Sequence, residues 1–219
     1  MKKYQALLAI FLAAALPLHA EALSDRIDEA ISILEAKQES AHPIPQKLLN
    51  DCKGIAIIRV ARGGVVFGGT HGTGIVLGHT QKLWGTGWSA PCAFSMSGGS
   101  FGAQIGFETR DYIFVLNTNA ALRMFTSDES LKWDATAAAT AGPDYVSAEN
   151  SQVLEVPIYY YTKTDGAFAG ATFGGTSLST DSSTNREAYG HGVLTSDILN
   201  GRIKPHKDSA SLYKLLGGK

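Results

Sequence analysis

The chain has 219 residues, 44% of them hydrophobic and 18% charged, and a formal net charge of −1. That is enough chain for a full core, and one domain is the expectation. A charge this close to zero excludes general attraction to nucleic acid, and two cysteines exclude a disulfide-built scaffold.

Residues 1–20 read as a segment apart. Lys2 and Lys3 precede thirteen apolar residues, "ALLAIFLAAALPL" (Ala6 to Leu18), and Ala20-Glu21-Ala22 follows as a small-residue cleavage site. This is the pattern of a secretory signal peptide, cut after residue 20 or 22. A membrane span would need ~20 apolar residues. The first cysteine is Cys52, so no lipid-accepting cysteine lies near the cut. Loss of Lys2 and Lys3 moves the net charge from −1 to −3. The expected location is periplasmic or secreted. There Cys52 and Cys92 either pair across about forty residues or remain small buried thiols.

The remaining residues, 23–219, are expected to form a single domain. "LSDRIDEAISILEAKQES" (Leu23 to Ser40) is helical by period, with Leu23, Ile27, Ile31 and Leu34 on one face. Ser24 or Asp25 is its candidate cap. Arg26 and Lys37 are read with the acidic opposite face. "HPIP" (His42 to Pro45) ends it, and a short helix is expected over Pro45 to Cys52. From Gly54 the periodicity changes to strand. "GIAIIRV", "GGVVFGG", "GTGIVLGH", "FGAQIGFE", "DYIFVLNT", "LEVPIYYYT" and "AFAGATFGG" read as short separate strands. "NAALRMF", "TSDILNG" and "KDSASLYKLLGGK" read as short helices, the first capped by Asn117 or Asn119 and the last by Asp208. "STDSSTNRE" (Ser179 to Glu187) is the most loop-like stretch. The expected fold is α+β: a β-rich antiparallel sheet or barrel-like body, an N-terminal amphipathic helix and short peripheral helices.

"FGGTHGTGIVLG" (Phe67 to Gly78) suggests a phosphate loop at first sight. The dinucleotide fingerprint fails, because Leu77 stands where its third glycine belongs. The Gly-Lys-Ser/Thr ending fails as well, because Ile75 follows Gly74. No nucleotide is expected, and the glycines are read as sites of strand bending or close backbone approach. "GGSFG" (Gly98 to Gly102) matches G-x-S-x-G, with His191 and Asp144 or Asp165 available to complete a triad. A nucleophile elbow needs a helix after the serine, whereas strand-like sequence follows Ser100. A serine hydrolase is therefore the alternative rather than the reading. His71 and His79 lack companion ligands, so neither a metal nor another cofactor is expected.

With "GWSAP" (Gly87 to Pro91) the sequence resembles the SYLF lipid-binding domain family, whose eukaryotic members include actin-organising, phosphoinositide-binding proteins. The similarity runs in order from about Leu48 to about Ile198. It takes in "KGIAII" (Lys53 to Ile58), Gly68, Gly69, Gly72, Gly74, and Trp88 with Ser89 and Pro91. It continues through "GGSFGAQIG" (Gly98 to Gly106), "AGP" (Ala141 to Pro143), "YTKTDGAFAG" (Tyr161 to Gly170), and Asp181, Asn185, Tyr189 and Gly190. The resemblance implies a non-enzymatic domain whose partner is a lipid or a membrane surface. Arg59, Arg62 and Lys163 are then expected near head groups, with Trp88, Gln104, Tyr161 and Phe168 offered to the lipid. The first helix is acidic here, and Asp165 stands where a basic residue often precedes the glycine. For an exported protein, actin is not an expected partner. An envelope interaction module without a small ligand is a further alternative.

Overall fold

The computed structural model describes residues 21–80, 85, 87–125, 131–133, 140–143 and 155–217, with backbone only for 101–104, 131–133, 140–141 and 164–176. Helix α1 spans Leu23–Gln38 and α2 spans Gln46–Asp51. Strand β1 then runs unbroken over Gly54–Gly78, and β2 over Cys92–Leu116. Helix α3 (Asn119–Arg123) and the short strands β3 (Leu131–Trp133) and β4 (Thr140–Ala141) lead to β5, Ile158–Thr180. Helices α4 (Ser182–Tyr189) and α5 (Thr195–Leu199), a 3-10 turn (Lys207–Ser209) and α6 (Ala210–Leu215) follow. The sheet order is β1-β2-β5-β3, with β4 parallel to β5 and the other pairs antiparallel. The body is thus α+β, but the sheet is open and no barrel closes.

The seven short strands expected from the sequence are segments of three long ones, three falling in β1 and two each in β2 and β5. A strand of 25 residues would extend ~80 Å, far beyond the radius of about 17 Å typical of a domain this size. The long strands therefore fold back on themselves. In β1 the bend falls at Val65–Phe67, where the register with β2 shifts and Val66 takes a φ of +67°. Positive φ is rare for a β-branched residue and marks the bulge. A Cβ on Gly64 would overlap the backbone of Phe67 and Gly68, so the bend admits no side chain there. Beyond it the two halves of β1 meet: a Cβ on Gly74 would fall on the Ile57 carbonyl, and one on Gly72 would lie 2.9 Å from the Arg59 carbonyl.

At the ends of these strands both faces are covered. Ile55, Ile57, Ile113, Val115 and Tyr161 join a cluster with Ile27, Leu34, Leu48 and Leu212 from the helices. The alternate residues Ala56, Ile58, Phe94, Phe114 and Leu178 join another with Phe125, Ile198 and Leu199. Burial on both sides explains why "GIAII" reads as a continuous apolar run rather than an alternating one.

Several local expectations change. Ser179 to Glu187 is not loop: β5 runs on to Thr180, and α4 begins at Ser182. Its cap is Asp181, which accepts a hydrogen bond from the Thr184 N–H at 3.1 Å. Thr118 caps α3 in place of Asn117 or Asn119, and α1 has no side-chain cap. Cys52 and Cys92 are buried in different core clusters, and no disulfide joins them. Burial pushes the Cys52 thiol up to about 12, far from a reactive thiolate.

Candidate functional site

Strand register places Arg59 of β1, Asp111 of β2 and Lys163 of β5 side by side across the sheet. One step toward the strand ends, on the same face, lie Ile57, Ile113 and Tyr161. Helix α1 crosses this face, and between helix and sheet is a cavity of about 310 Å³. Ile33, Ala36, Ile113 and Tyr161 supply its apolar wall, and Lys37, His42, Arg59 and Lys163 face Asp111 around it. Lys37, Arg59 and Lys163 thus bring three permanent cations to a lining that holds Asp111, and Glu29 bonds Arg59 from α1.

The Arg59 guanidinium is held firmly. Its Nε and Nη2 donate to the two Asp111 oxygens at 2.6 and 2.8 Å, and Nη1 donates to Glu29 at 2.7 Å. The bidentate bond to Asp111 raises the Arg59 pKa further, keeping the charge fixed. Burial raises the Glu29 carboxyl, with Arg59 opposing. Tyr161 is pinned too: its hydroxyl donates to the Pro143 carbonyl at 2.9 Å, and a Cβ on Gly142 would overlap its ring. The "AGP" motif is therefore the backing of this tyrosine. Lys37 Nζ stands 4.9 Å from the Tyr161 ring centroid, within cation–π range.

The structure thus brings together Arg59, Tyr161 and Lys163 of the expected residues. It adds Lys37, His42 and Asp111, which sequence reading did not select. A signal existed for two of them: Lys37 is one turn from Ile33 on α1, and Asp111 is in strand phase with Ile113. Arg62 lies three residues further along β1, half-buried. Gln104 and Phe168 fall among residues whose side chains are not described. Trp88 does not join the cavity. It is 2% exposed, packs in the helix-side core cluster, and stacks on His79 at 4.7 Å.

Several of the other resemblance-bearing residues form a latch. Ser89 Oγ accepts from the Gly78 N–H and donates to the Ala90 carbonyl, both at 2.9 Å. Asn185 pairs with both backbone groups of Ala93, and the Tyr189 hydroxyl donates to the Pro91 carbonyl at 2.6 Å. These residues fasten α4 to the start of β2. Arg26, read as part of the polar helix face, is 3% exposed and ties α1 to the same place. It donates to the Phe94 carbonyl at 2.8 Å and to Asp181 at 2.6 Å. Burial alone would raise the Asp181 carboxyl. Hydrogen bonds from Ser183, Thr184 and Arg26 outweigh it and hold the group well below the carboxylate range.

The nucleophile-elbow alternative fails on backbone geometry. Ser100 sits inside β2, paired with Gly68 and Gly174, and strand continues on both sides. A further cavity of about 260 Å³ borders α4 and α5, but its Asn185 wall is already bonded to the sheet. Among the described residues no His, Cys, Asp or Glu side chains gather as a metal site, and no helix is long and apolar enough to cross a membrane.

A sequence model of the Ysc84 family, described as "Las17-binding protein actin regulator", matches residues 97–218. The chain is 32% identical over 177 residues to LAS seventeen-binding protein 3 of Saccharomyces cerevisiae, covering 79% of this chain and 38% of that protein. It is 31% identical over 176 residues to SH3 domain-containing YSC84-like protein 1 of Xenopus laevis, covering 79% of this chain and 52% of that protein. The chain therefore belongs to the Ysc84 (SYLF) family. Its matched part spans about two fifths to one half of these relatives. The yeast relative is named as a binding protein and the Xenopus laevis relative as an SH3 domain-containing one. No solved structure matches the chain.

Proposed function

We propose that this chain is an exported, non-enzymatic membrane-associated protein of the cell envelope, which holds an anionic lipid head group in the cavity under α1. The observation that carries the reading is the Arg59–Asp111–Lys163 row beside an apolar wall, with Lys37 over Tyr161. Arg59 is already bonded to two carboxylates, so its role is to order the row. Lys37 and Lys163 supply the charge a phosphate meets. A volume of about 310 Å³ is at the small end for ligand sites. It suits a head group and leaves acyl chains outside, in the bilayer. Export rests on the pattern of residues 1–20. The family description concerns an actin regulator, so the exclusion of actin as a partner rests on export alone.

The test is titration with dihexanoyl-phosphatidylglycerol below its micelle concentration. Lys37→Gln with Lys163→Gln should weaken binding about tenfold or more, since a lysine near anionic lipid contributes about 1 kcal/mol. Equal binding by the double variant and the parent would remove the cavity as the site.

A further inference from the structure

The bend in the folded sheet carries an exposed apolar cap. Val65 is 66% exposed, Phe67 73%, Ile105 65% and Phe107 61%, with Val66 beside them at 48%. Register gathers them: Val65 pairs with Ile105, and Gly63 with Phe107. Around them register places both small residues, among them Gly63, Gly64, Gly68, Gly106 and Gly170, and the aromatic positions Phe101 and Phe168. A bend that only faces water would be served by polar residues at these exposed positions. Five such side chains expose on the order of 500 Å². A stable protein interface needs ~800 Å² per partner and a complementary shape. A bilayer needs neither.

The charges behind the cap are spaced for the same occupant. Arg62 is three residues before Val65, a step of ~10 Å along a strand, and the Arg59–Lys163 row lies another ~10 Å back. Interfacial elements enter a membrane by about 5–10 Å, which would leave Arg62 at head-group level. By strand alternation Val65, Ile105 and Phe107 share the face of Arg59, Asp111 and Lys163, while Arg62 and its register partner Glu108 lie on the other face. Helix α1 is not available for this task, because Leu23, Ile27, Ile33 and Leu34 are buried against the sheet.

We propose that the bend is a membrane-inserting tip, in which Val65, Phe67, Ile105 and Phe107 enter the acyl region while Arg62 stays among the head groups. The proposal rests on the membrane reading above, but not on the cavity. Its test uses the chain expressed from residue 1 and purified as the host processes it, with vesicles of equal palmitoyl-oleoyl phosphatidylcholine and phosphatidylglycerol. Phe67→Ser with Phe107→Ser should lower vesicle affinity at least about tenfold. Binding of dihexanoyl-phosphatidylglycerol and the unfolding midpoint should stay at parental values. A fluorophore sensitive to polarity, attached at Phe67→Cys, should shift to the blue on adding vesicles; Cys52 and Cys92 are buried and escape labelling. If the parent ignores the short-chain lipid but needs Phe67 and Phe107 for vesicles, the cavity reading falls and the tip stands. Unchanged vesicle binding by the serine variant, no spectral shift, or equal loss of both kinds of binding overturns the tip. So does a parent dimer that the serine variant splits while vesicle binding persists, which would make the cap a contact between copies.

Discussion

The two ends of the same three strands make opposite use of one composition. At the base, Gly72 and Gly74 let one half of β1 press on the other, helices cover both faces, and Arg26 and Asp181 are sealed in between. At the bend, glycines are as frequent, yet Val65, Phe67, Ile105 and Phe107 stand in solvent. Glycine at the base permits close approach; glycine at the bend permits curvature. The fold is held by the first end, which leaves the second free to vary with its surroundings.

The largest expected effect tests the base. Arg26→Met removes the buried guanidinium that joins the part-buried Asp181 to the Phe94 carbonyl, and should cost about 3–5 kcal/mol in chemical denaturation. For a domain of this size that is a fall of roughly 10 °C in Tm. A loss under about 1 kcal/mol would mean the clamp is not formed.

Gly74→Ala should cost about 1–3 kcal/mol, because its Cβ meets the Ile57 carbonyl, which cannot retreat without moving the strand. Gly69→Ala is its control near the bend. Nothing lies within 4 Å of the added carbon, so the midpoint should stay within ~0.5 kcal/mol. Similar losses at both positions would erase the contrast between the two ends.

The smallest effect is a pH slope. The Asp181 carboxyl is held below its unfolded value of 3.8. Its stabilisation is therefore complete above about pH 4 and is lost as the pH falls. Glu29 runs the other way and at higher pH, since its pKa is raised from 4.5 and the fold gains as acid is added through the range just above that value. Urea unfolding between pH 3 and 6 should show a shallower acid loss in Asp181→Asn than in the parent. An identical slope would mean that Asp181 is not held in this way.

Much of the fold was legible because its signals are local. The period of α1, the strand character from Gly54 onward and the helix-closing Gly217 (φ +79°) need only neighbours along the chain. Asp181 shows the limit. In sequence it lies in a run of serine and threonine and reads as loop, yet it caps a helix and receives Arg26 from 155 residues away. The site was half legible for a similar reason. Arg59, Tyr161 and Lys163 were selected, but nothing in the chain order of β1 and β5 places Arg59 and Lys163 beside Asp111. Trp88 was misplaced because a tryptophan in a signature carries no label distinguishing core from ligand.

By itself the sequence determined the class of fold, the family, the failure of the phosphate-loop spacing and the absence of helix after Ser100, since each depends on residue type and short-range period. Only the tertiary structure decided that seven apparent strands are segments of three, that "FGGTHGTGIVLG" is the half of β1 that returns from the bend and meets the first half, and that the apolar groups at the bend stay exposed. Those facts depend on which distant backbones come into contact. A glycine states that a close approach is allowed there, without stating what approaches.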